Sequence, residues 1–125
     1  MLTQNIMNAT EKTARIQAAI TVHFEWFNRL KAVVAHGSSA FKPEIVRTDN
    51  NCDFGKWVHS DMRTVCPNDQ VFNEIRQVHA EFHKLAADIL TMALRGDKEA
   101  ATKEIEIGGK LASLSGRLTI ILRRL

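Results

Sequence analysis

Two histidines four residues apart, His79 and His83, constrain the fold more than any other feature of this sequence. The stretch around them, from Phe72 to about Leu94, has the apolar periodicity of an amphipathic helix. Side chains at positions i and i+4 of a helix project to the same side and lie close enough to bind one ion. Here that side is the apolar stripe, which consists of Phe72, Ile75, Phe82, Ala86 and Ile89. Imidazoles that face a core need hydrogen-bond partners or a metal ion, because an unpaired buried polar group costs about 1–3 kcal/mol.

The remaining sequence predicts an all-α protein. Strand signals are scarce, since tyrosine is absent and apolar and polar residues do not alternate over any long stretch. A first helix is predicted from about Asn8 to Ala35, ended by Gly37, and a loop follows over residues 37–50. Asp49, Asn50 and Asn51 are good N-cap residues for a short helix through Phe54, Trp57 and Val58.

Two further long helices complete the prediction. Asn68 is a natural cap for the helix that runs to about Leu94, and Asp97 caps a last helix from Lys98 to the end. The pair Gly108-Gly109 interrupts this last helix; we interpret it as a point of close packing, the alternative being a tolerated weak point. Three long helices and one short one, joined by brief connections, predict an antiparallel helix bundle that forms a single domain over residues 1–125.

Composition and charge exclude several classes of protein. Hydrophobic residues make up 45% of the chain and charged residues 25%, as in ordinary globular proteins. The net charge is only +3 and the basic residues are dispersed, which does not favour a nucleic-acid surface. No apolar run is long enough for membrane insertion, and the N-terminus lacks the features of a signal peptide. We therefore expect a cytoplasmic protein in which Cys52 and Cys66 remain reduced.

A third histidine and a cysteine extend the histidine pair into a donor set. His23 occupies a core position of the first helix, where a lone histidine would most often be a satisfied core residue. Together with His79, His83 and Cys52 it composes a His3Cys set, which suits tetrahedral Zn²⁺. The same donors also accept Fe, Co, Ni or Cu. Four protein ligands leave no position for a reacting water, so hydrolytic catalysis is disfavoured.

A carboxylate-bridged di-iron site is the competing interpretation, and it lacks donors. Such sites require several inward-facing glutamates and Glu-x-x-His pairs. Glu25 and Glu81 each lie two positions from a histidine, so we expect both to face away from the metal. Of the other candidates, His36 is expected at a helix end and His59 on the surface, and Cys66 has no assigned role.

The three blocks that carry these donors resemble a known family, the chemoreceptor zinc-binding domain, usually called CZB. They are His23-Phe-Glu-Trp26, Cys52-Asp-Phe-Gly55-Lys-Trp57 and His79-Ala-Glu-Phe-His83, separated by residues 27–51 and 58–78. The resemblance covers nearly the whole chain and implies that His23, Cys52, His79 and His83 are zinc ligands. It also implies that Gly55 allows close approach of the short helix and that Trp26 and Trp57 enclose the site.

The resemblance further implies a sensory function. Similar domains are attached to bacterial chemoreceptors and diguanylate cyclases and act as homodimeric cytoplasmic sensors. The sequence has no phosphate-binding Gly-rich loop, nucleophile elbow or cyclase motif, so no enzymatic activity is expected. We expect zinc-dependent helix rearrangement to control a linked or partner output domain, with the short helix loosening first when metal is lost. Two alternatives remain open: a hypochlorous acid sensor that acts through oxidation of Cys52, and a protein in which zinc is a permanent structural staple.

Overall fold

The computed structural model describes residues 9–50, 52–106 and 109–125, and over these residues it is all-helical with no strand. The helices in that part of the chain are α1 (Ala9–His36), α2 (Pro43–Val46), α3 (Asp53–Val58), α4 (Met62–Val65), α5 (Asp69–Leu94), α6 (Lys98–Ile105) and α7 (Lys110–Arg123). The all-α class predicted from the sequence is therefore confirmed. Among the described residues, no helix is both long enough and apolar enough to cross a bilayer.

The long helices α1 and α5 begin and end close to the predicted residues. The Asn68 side chain caps α5 by accepting a hydrogen bond from the Val71 N–H at 2.9 Å. Gly37 and Gly96 follow the two helices with φ of 71° and 85°, a conformation that residues with a Cβ rarely adopt. The predicted start of α1 at Asn8 lies outside the described residues.

The predicted last helix is two helices, α6 and α7. The chain leaves the helical conformation at Glu106, and Gly109 is the N-cap of α7. A Cβ on Gly109 would lie 2.7 Å from the Glu104 carbonyl oxygen, so the close approach at this glycine is to the end of α6. Gly108 lies outside the described residues.

The region between α1 and α5 also differs from the prediction. Two one-turn helices are additional: α2 forms within the loop predicted over residues 37–50, and α4 forms where the sequence predicted no element. The N-cap of α3 is Cys52, whose sulfur accepts a hydrogen bond from the Gly55 N–H at 3.2 Å, and not Asp49 or Asn50. The third predicted cap, Asn51, lies outside the described residues. A cysteine sulfur replaces an oxygen as the capping acceptor, which propensity rules do not anticipate.

Two apolar clusters form the core. The α6-side cluster brings α1 and α5 against α6, α2 and the start of α7; its members include Leu30, Val33, Val46, Phe82, Ala86, Leu90, Ala101, Ile105 and Leu111. The α3-side cluster brings α1 and α5 against α3, α4 and α7; its members include Ile20, Phe54, Trp57, Val58, Met62, Ile75, Val78, Leu118 and Leu122. Along both long helices, buried histidines separate the residues of one cluster from those of the other.

Candidate metal centre

Three separate stretches of the chain supply the polar side chains at this boundary. His23 comes from the middle of α1, Cys52 from the N-cap of α3, and His79 and His83 from successive turns of α5. One potential ligand atom from each residue lies within 4.8 Å of all the others. The structure thus brings together all four residues that the sequence selected.

The distances between these atoms fit a tetrahedral ion. The Cys52 sulfur lies 3.5 Å from Nε2 of His79 and 3.5 Å from Nε2 of His83, and the two nitrogens are 3.0 Å apart. Around a tetrahedral zinc with ordinary bond lengths, sulfur and nitrogen ligands are separated by about 3.6 Å and two nitrogens by about 3.3 Å. The thiol and the two α5 imidazoles therefore have the spacing of tetrahedral zinc ligands, and the ligand nitrogen of His23 lies within 4.8 Å of them.

Hydrogen bonds on the outer side of two rings set their tautomers. Nδ1–H of His23 donates to the Ala19 carbonyl at 2.6 Å, and Nδ1–H of His83 donates to the Val46 carbonyl at 2.9 Å. Because a carbonyl oxygen can only accept, the proton of each neutral ring resides on Nδ1. Nε2 is then left with a free lone pair, as a metal ligand requires.

Two buried nitrogens in the centre have no hydrogen-bond partner. Nε2 of His23 is one, and its ring is 4.9 Å from that of His79 and 5.8 Å from that of His83, measured between ring centres. Nδ1 of His79 is the other. Orphaned buried polar atoms are rare in folded proteins, and the first of these is explained by coordination of an ion.

Burial keeps all three imidazoles neutral. It lowers the pKa of His79 to about 2 and that of His23 to about 4, and it lowers the pKa of His83 as well. Neutral imidazole is the form that binds a metal ion. Burial also raises the pKa of the Cys52 thiol, although the backbone N–H of Gly55 acts in the opposite direction. A bound divalent cation would favour the thiolate, so metal binding at this centre would release a proton.

Two phenylalanines contact the imidazoles. The Phe54 ring packs edge-on against His79 at 4.8 Å and His23 at 5.6 Å, and the Phe82 ring lies 5.1 Å from His23. Trp57 contacts Phe54 at 6.0 Å. Trp26 packs at 5.2 Å on Phe41 in the α6-side cluster. The family resemblance implies tryptophan walls for the site, whereas the rings that contact the imidazoles are these two phenylalanines, which lie within the same motif blocks.

The residues set aside in the sequence analysis lie elsewhere or play lesser parts. Glu25 is exposed and pairs with Arg29 at 3.4 Å, while Glu81 is half-buried. His36 is exposed at the end of α1. Cys66 is a half-buried free thiol packed against the α3-side cluster.

Cys52 is the one donor of the four that is not fully buried. It lines a groove of about 600 Å³ between α1 and α3, together with Arg15, Val22, Lys56 and Trp57. The three histidines are at most 4% exposed. Solvent can therefore approach the centre from the sulfur side.

Comparison with known protein families supports this description. The family model of the chemoreceptor zinc-binding domain matches residues 23–90, more than half of the chain. The chain belongs to the chemoreceptor zinc-binding family. The CZB match begins at His23 and includes Cys52, His79 and His83. No curated protein and no solved structure matches the chain significantly.

Residues missed by the sequence analysis complete the CZB centre. Val46 and Asp49 lie in and just after α2, where their acceptor groups face the outer nitrogens of His83 and His79. Asp49 had been interpreted as a helix cap. One sequence signal indicates its importance: Asp49 lies only three residues before the ligand candidate Cys52, in the connection that brings Cys52 close to α5.

Proposed function

We propose that this CZB domain, residues 1–125, binds one Zn²⁺ through His23, Cys52, His79 and His83 and thereby regulates a signalling output in the cytoplasm. The convergence of one thiol and three buried imidazoles within 4.8 Å carries the proposal. The mixture of nitrogen and sulfur donors, the near-tetrahedral spacing of Cys52, His79 and His83, and the family membership all favour zinc.

The domain's part in regulation follows from where the donors lie. The zinc would supply a cross-link between α1, the start of α3 and α5. Phe54, Trp57 and Val58 anchor the body of α3 in the core, since each is at most 6% exposed. Loss of metal should therefore free the N-terminal turn of α3 around Cys52, and not the whole helix.

A movement of this turn would be transmitted to a linked or partner output domain, either a diguanylate cyclase or a chemotaxis receptor, through a homodimer of CZB domains. No catalytic role is proposed for the domain itself. Four protein donors would fill the coordination sphere, which is typical of structural and regulatory zinc sites.

Zinc binding is tested by competition titration against a chromophoric chelator, using the purified protein and its Cys52→Ser and Cys66→Ser variants. We expect one tight site per chain, a loss of at least 100-fold in affinity for Cys52→Ser and a change below threefold for Cys66→Ser. Absence of tight 1:1 binding by the native sequence, or retention of full affinity by Cys52→Ser, would contradict the proposal.

Regulation is distinguished from permanent stapling by amide hydrogen exchange with and without zinc. If zinc acts as a switch, removal of the metal should speed exchange in residues 46–55 and leave α7 as protected as before. Loss of protection along the entire chain would mean that zinc is only a structural staple. In that case the regulatory part of the proposal fails while zinc binding stands.

The groove beside Cys52 favours one alternative function, a redox sensor. Hypochlorous acid that reached the thiolate would oxidise its sulfur by two electrons to sulfenic acid, transferring the hydroxyl oxygen to sulfur and leaving as chloride. This reaction would remove the sulfur donor and weaken zinc binding. It is tested by adding one equivalent of hypochlorous acid at buffered free zinc. Zinc release with dimedone capture at Cys52, also in the Cys66→Ser variant, supports sensing; retention of zinc and of the free thiol rejects it.

A further inference from the structure

The connection from α2 to α3 supplies acceptor groups to both histidines of α5. Its Val46 carbonyl accepts the Nδ1–H of His83 at 2.9 Å, and the Asp49 carboxylate faces Nδ1 of His79, with Oδ2 at 3.7 Å. His23 is held by a carbonyl of its own helix. Among the three rings, His79 is therefore the one whose outer nitrogen faces a charged side chain.

We propose that Asp49 is a positioning residue for the candidate ligand His79, accepting its Nδ1–H and directing its Nε2 toward the metal. This inference rests on the proposed zinc site and names a residue outside the four donors. Metal-binding histidines commonly donate their second N–H to a carboxylate or a carbonyl, which fixes the ring and strengthens it as a ligand.

The unpartnered nitrogen of His79 is the first support. His79 is 0% exposed, and its Nδ1 has no hydrogen-bond partner. The Asp49 Oδ2 lies 3.7 Å from this nitrogen. A shift of about 0.6 Å would bring the pair into hydrogen-bond range. Asp49 is thus placed to satisfy a nitrogen that otherwise remains an uncompensated buried polar atom.

Charge balance is the second support. Three neutral imidazoles and one thiolate would leave a net charge of +1 on a divalent ion in a largely buried centre. A buried charge without a counter-charge is costly. The Asp49 carboxylate, whose side chain is only 20% exposed, lies beside this centre and would neutralise it.

The third support is that the fold holds Asp49 in place. Its backbone oxygen lies 3.8 Å from the Cys52 sulfur, and a Cβ built on Gly55 would come within 1.6 Å of the same oxygen. Only a glycine at position 55 permits this approach. On the outer side, Nε2 of the exposed His59 lies 3.1 Å from the Asp49 Oδ2 and restrains the carboxylate.

The test compares Asp49→Ala and Asp49→Asn with Asp61→Asn, in the whole chain. Asp61 is exposed, and its side chain makes no capping hydrogen bond, so its replacement removes the same charge without touching the centre. We expect zinc affinity to fall 10- to 100-fold in Asp49→Ala. Asp49→Asn should fall less, because an amide oxygen still accepts a hydrogen bond, and Asp61→Asn should stay within threefold of the native affinity.

Two spectroscopic readouts separate positioning from a general structural role. The visible d–d bands of the Co²⁺-loaded protein should shift in Asp49→Ala and not in Asp61→Asn. The ¹⁵N NMR signal of the His79 Nδ1–H should move in both Asp49 variants. Unfolding of the zinc-free proteins in denaturant shows whether the fold itself is damaged.

The inference is overturned if Asp49→Ala binds zinc within threefold of the native chain. It is equally overturned if the loss of affinity is no larger than the loss of stability of the zinc-free protein and the Co²⁺ bands are unchanged. If the native chain itself binds no zinc, the proposed function fails. If the native chain binds zinc and the Asp49 variants bind it as well as Asp61→Asn does, the proposed function stands and this inference alone fails.

Discussion

The apolar clusters and the metal centre stabilise the same two helices by different means. In the clusters, the buried side chains of α1 and α5 need no partner other than one another, because exclusion of apolar surface from water is sufficient. In the metal centre, the buried groups are polar, and two of their nitrogens have no hydrogen-bond partner. The clusters therefore contribute a constant stability, whereas the centre's contribution depends on what the solution provides.

The contrast indicates where a helical domain can sense its surroundings. A response requires a buried region whose stability depends on a solute such as a metal ion. This region must lie between regions whose stability does not depend on that solute. Three of the donors lie on α1 and α5 between the two clusters, and the fourth, Cys52, caps the start of α3. We therefore expect a change at the centre to act on helices that remain folded on both sides.

The largest expected effect is that of zinc itself. At free zinc 1,000 times the dissociation constant, the free energy of unfolding should rise by about 4 kcal/mol, because the native state alone binds the ion. Denaturant unfolding in zinc buffer and in chelator measures this gain. Cys52→Ser should abolish most of it, and an equal gain in that variant would remove the distinction between centre and clusters.

Leu90→Ala tests the contribution of the apolar clusters, which should not depend on zinc. Leu90 is 0% exposed in the α6-side cluster, two turns beyond His83, so truncation should cost about 3 kcal/mol of unfolding free energy. We expect the same cost with and without zinc and a zinc affinity within threefold of the native value. Unfolding curves and chelator titrations check both; a large change in affinity would show that the two regions are not separable.

Acid should weaken the zinc-free protein through the buried histidines. The pKa of His23 is about 4 in the folded protein and 6.5 in the unfolded chain, so below pH 6.5 the unfolded chain binds the proton first. Stability should therefore be lost as pH falls, by about 2 kcal/mol between pH 7 and pH 5 for His23 alone. Denaturant unfolding at several pH values measures how the free energy of unfolding changes with pH. This pH dependence should be weaker in His23→Phe and unchanged in Leu90→Ala and in the exposed-site variant His36→Gln.

Gly116→Ala gives the smallest expected effect. Gly116 lies within α7, and a Cβ there would meet no atom within 4 Å. Alanine should stabilise the helix by about 0.5–1 kcal/mol without altering zinc affinity. Thermal unfolding with and without zinc measures it, and a loss of stability would show that α7 depends on this glycine for packing.

The sequence predicts the features that depend on the periodicity of apolar residues. It does not predict helix breaks and caps that depend on the contacts of a few atoms. The long helices α1 and α5 follow from apolar spacing. The three histidines follow because polar side chains on an apolar face need a partner, and Cys52 joins them as a thiol at the start of the short helix. The break after Ile105, by contrast, depends on how the chain turns around Gly109. The cap of α3 depends on a sulfur accepting a backbone hydrogen bond.

The surroundings of the donors were the least predictable part. The groups that face the outer nitrogens of His83 and His79 are the Val46 carbonyl and the Asp49 carboxylate, which lie in and just after the one-turn helix that begins at Pro43. Because every residue has a backbone carbonyl, the sequence does not indicate which one accepts the hydrogen bond of His83. Asp49 had an adequate local explanation as a cap, and its proximity to His79 arises from tertiary structure alone.

The absence of a side chain at position 55 has a consequence for how variation in this domain would be scored. Gly55 offers no donor atom, yet any added carbon would meet the carbonyl of Asp49. In a library with every codon randomised and selected for metal retention, this position should be as depleted of substitutions as the histidines. A survey that ranks residues by their tolerance of substitution alone would count five ligands. One of these five, Gly55, has no donor atom and is required because it lacks a side chain.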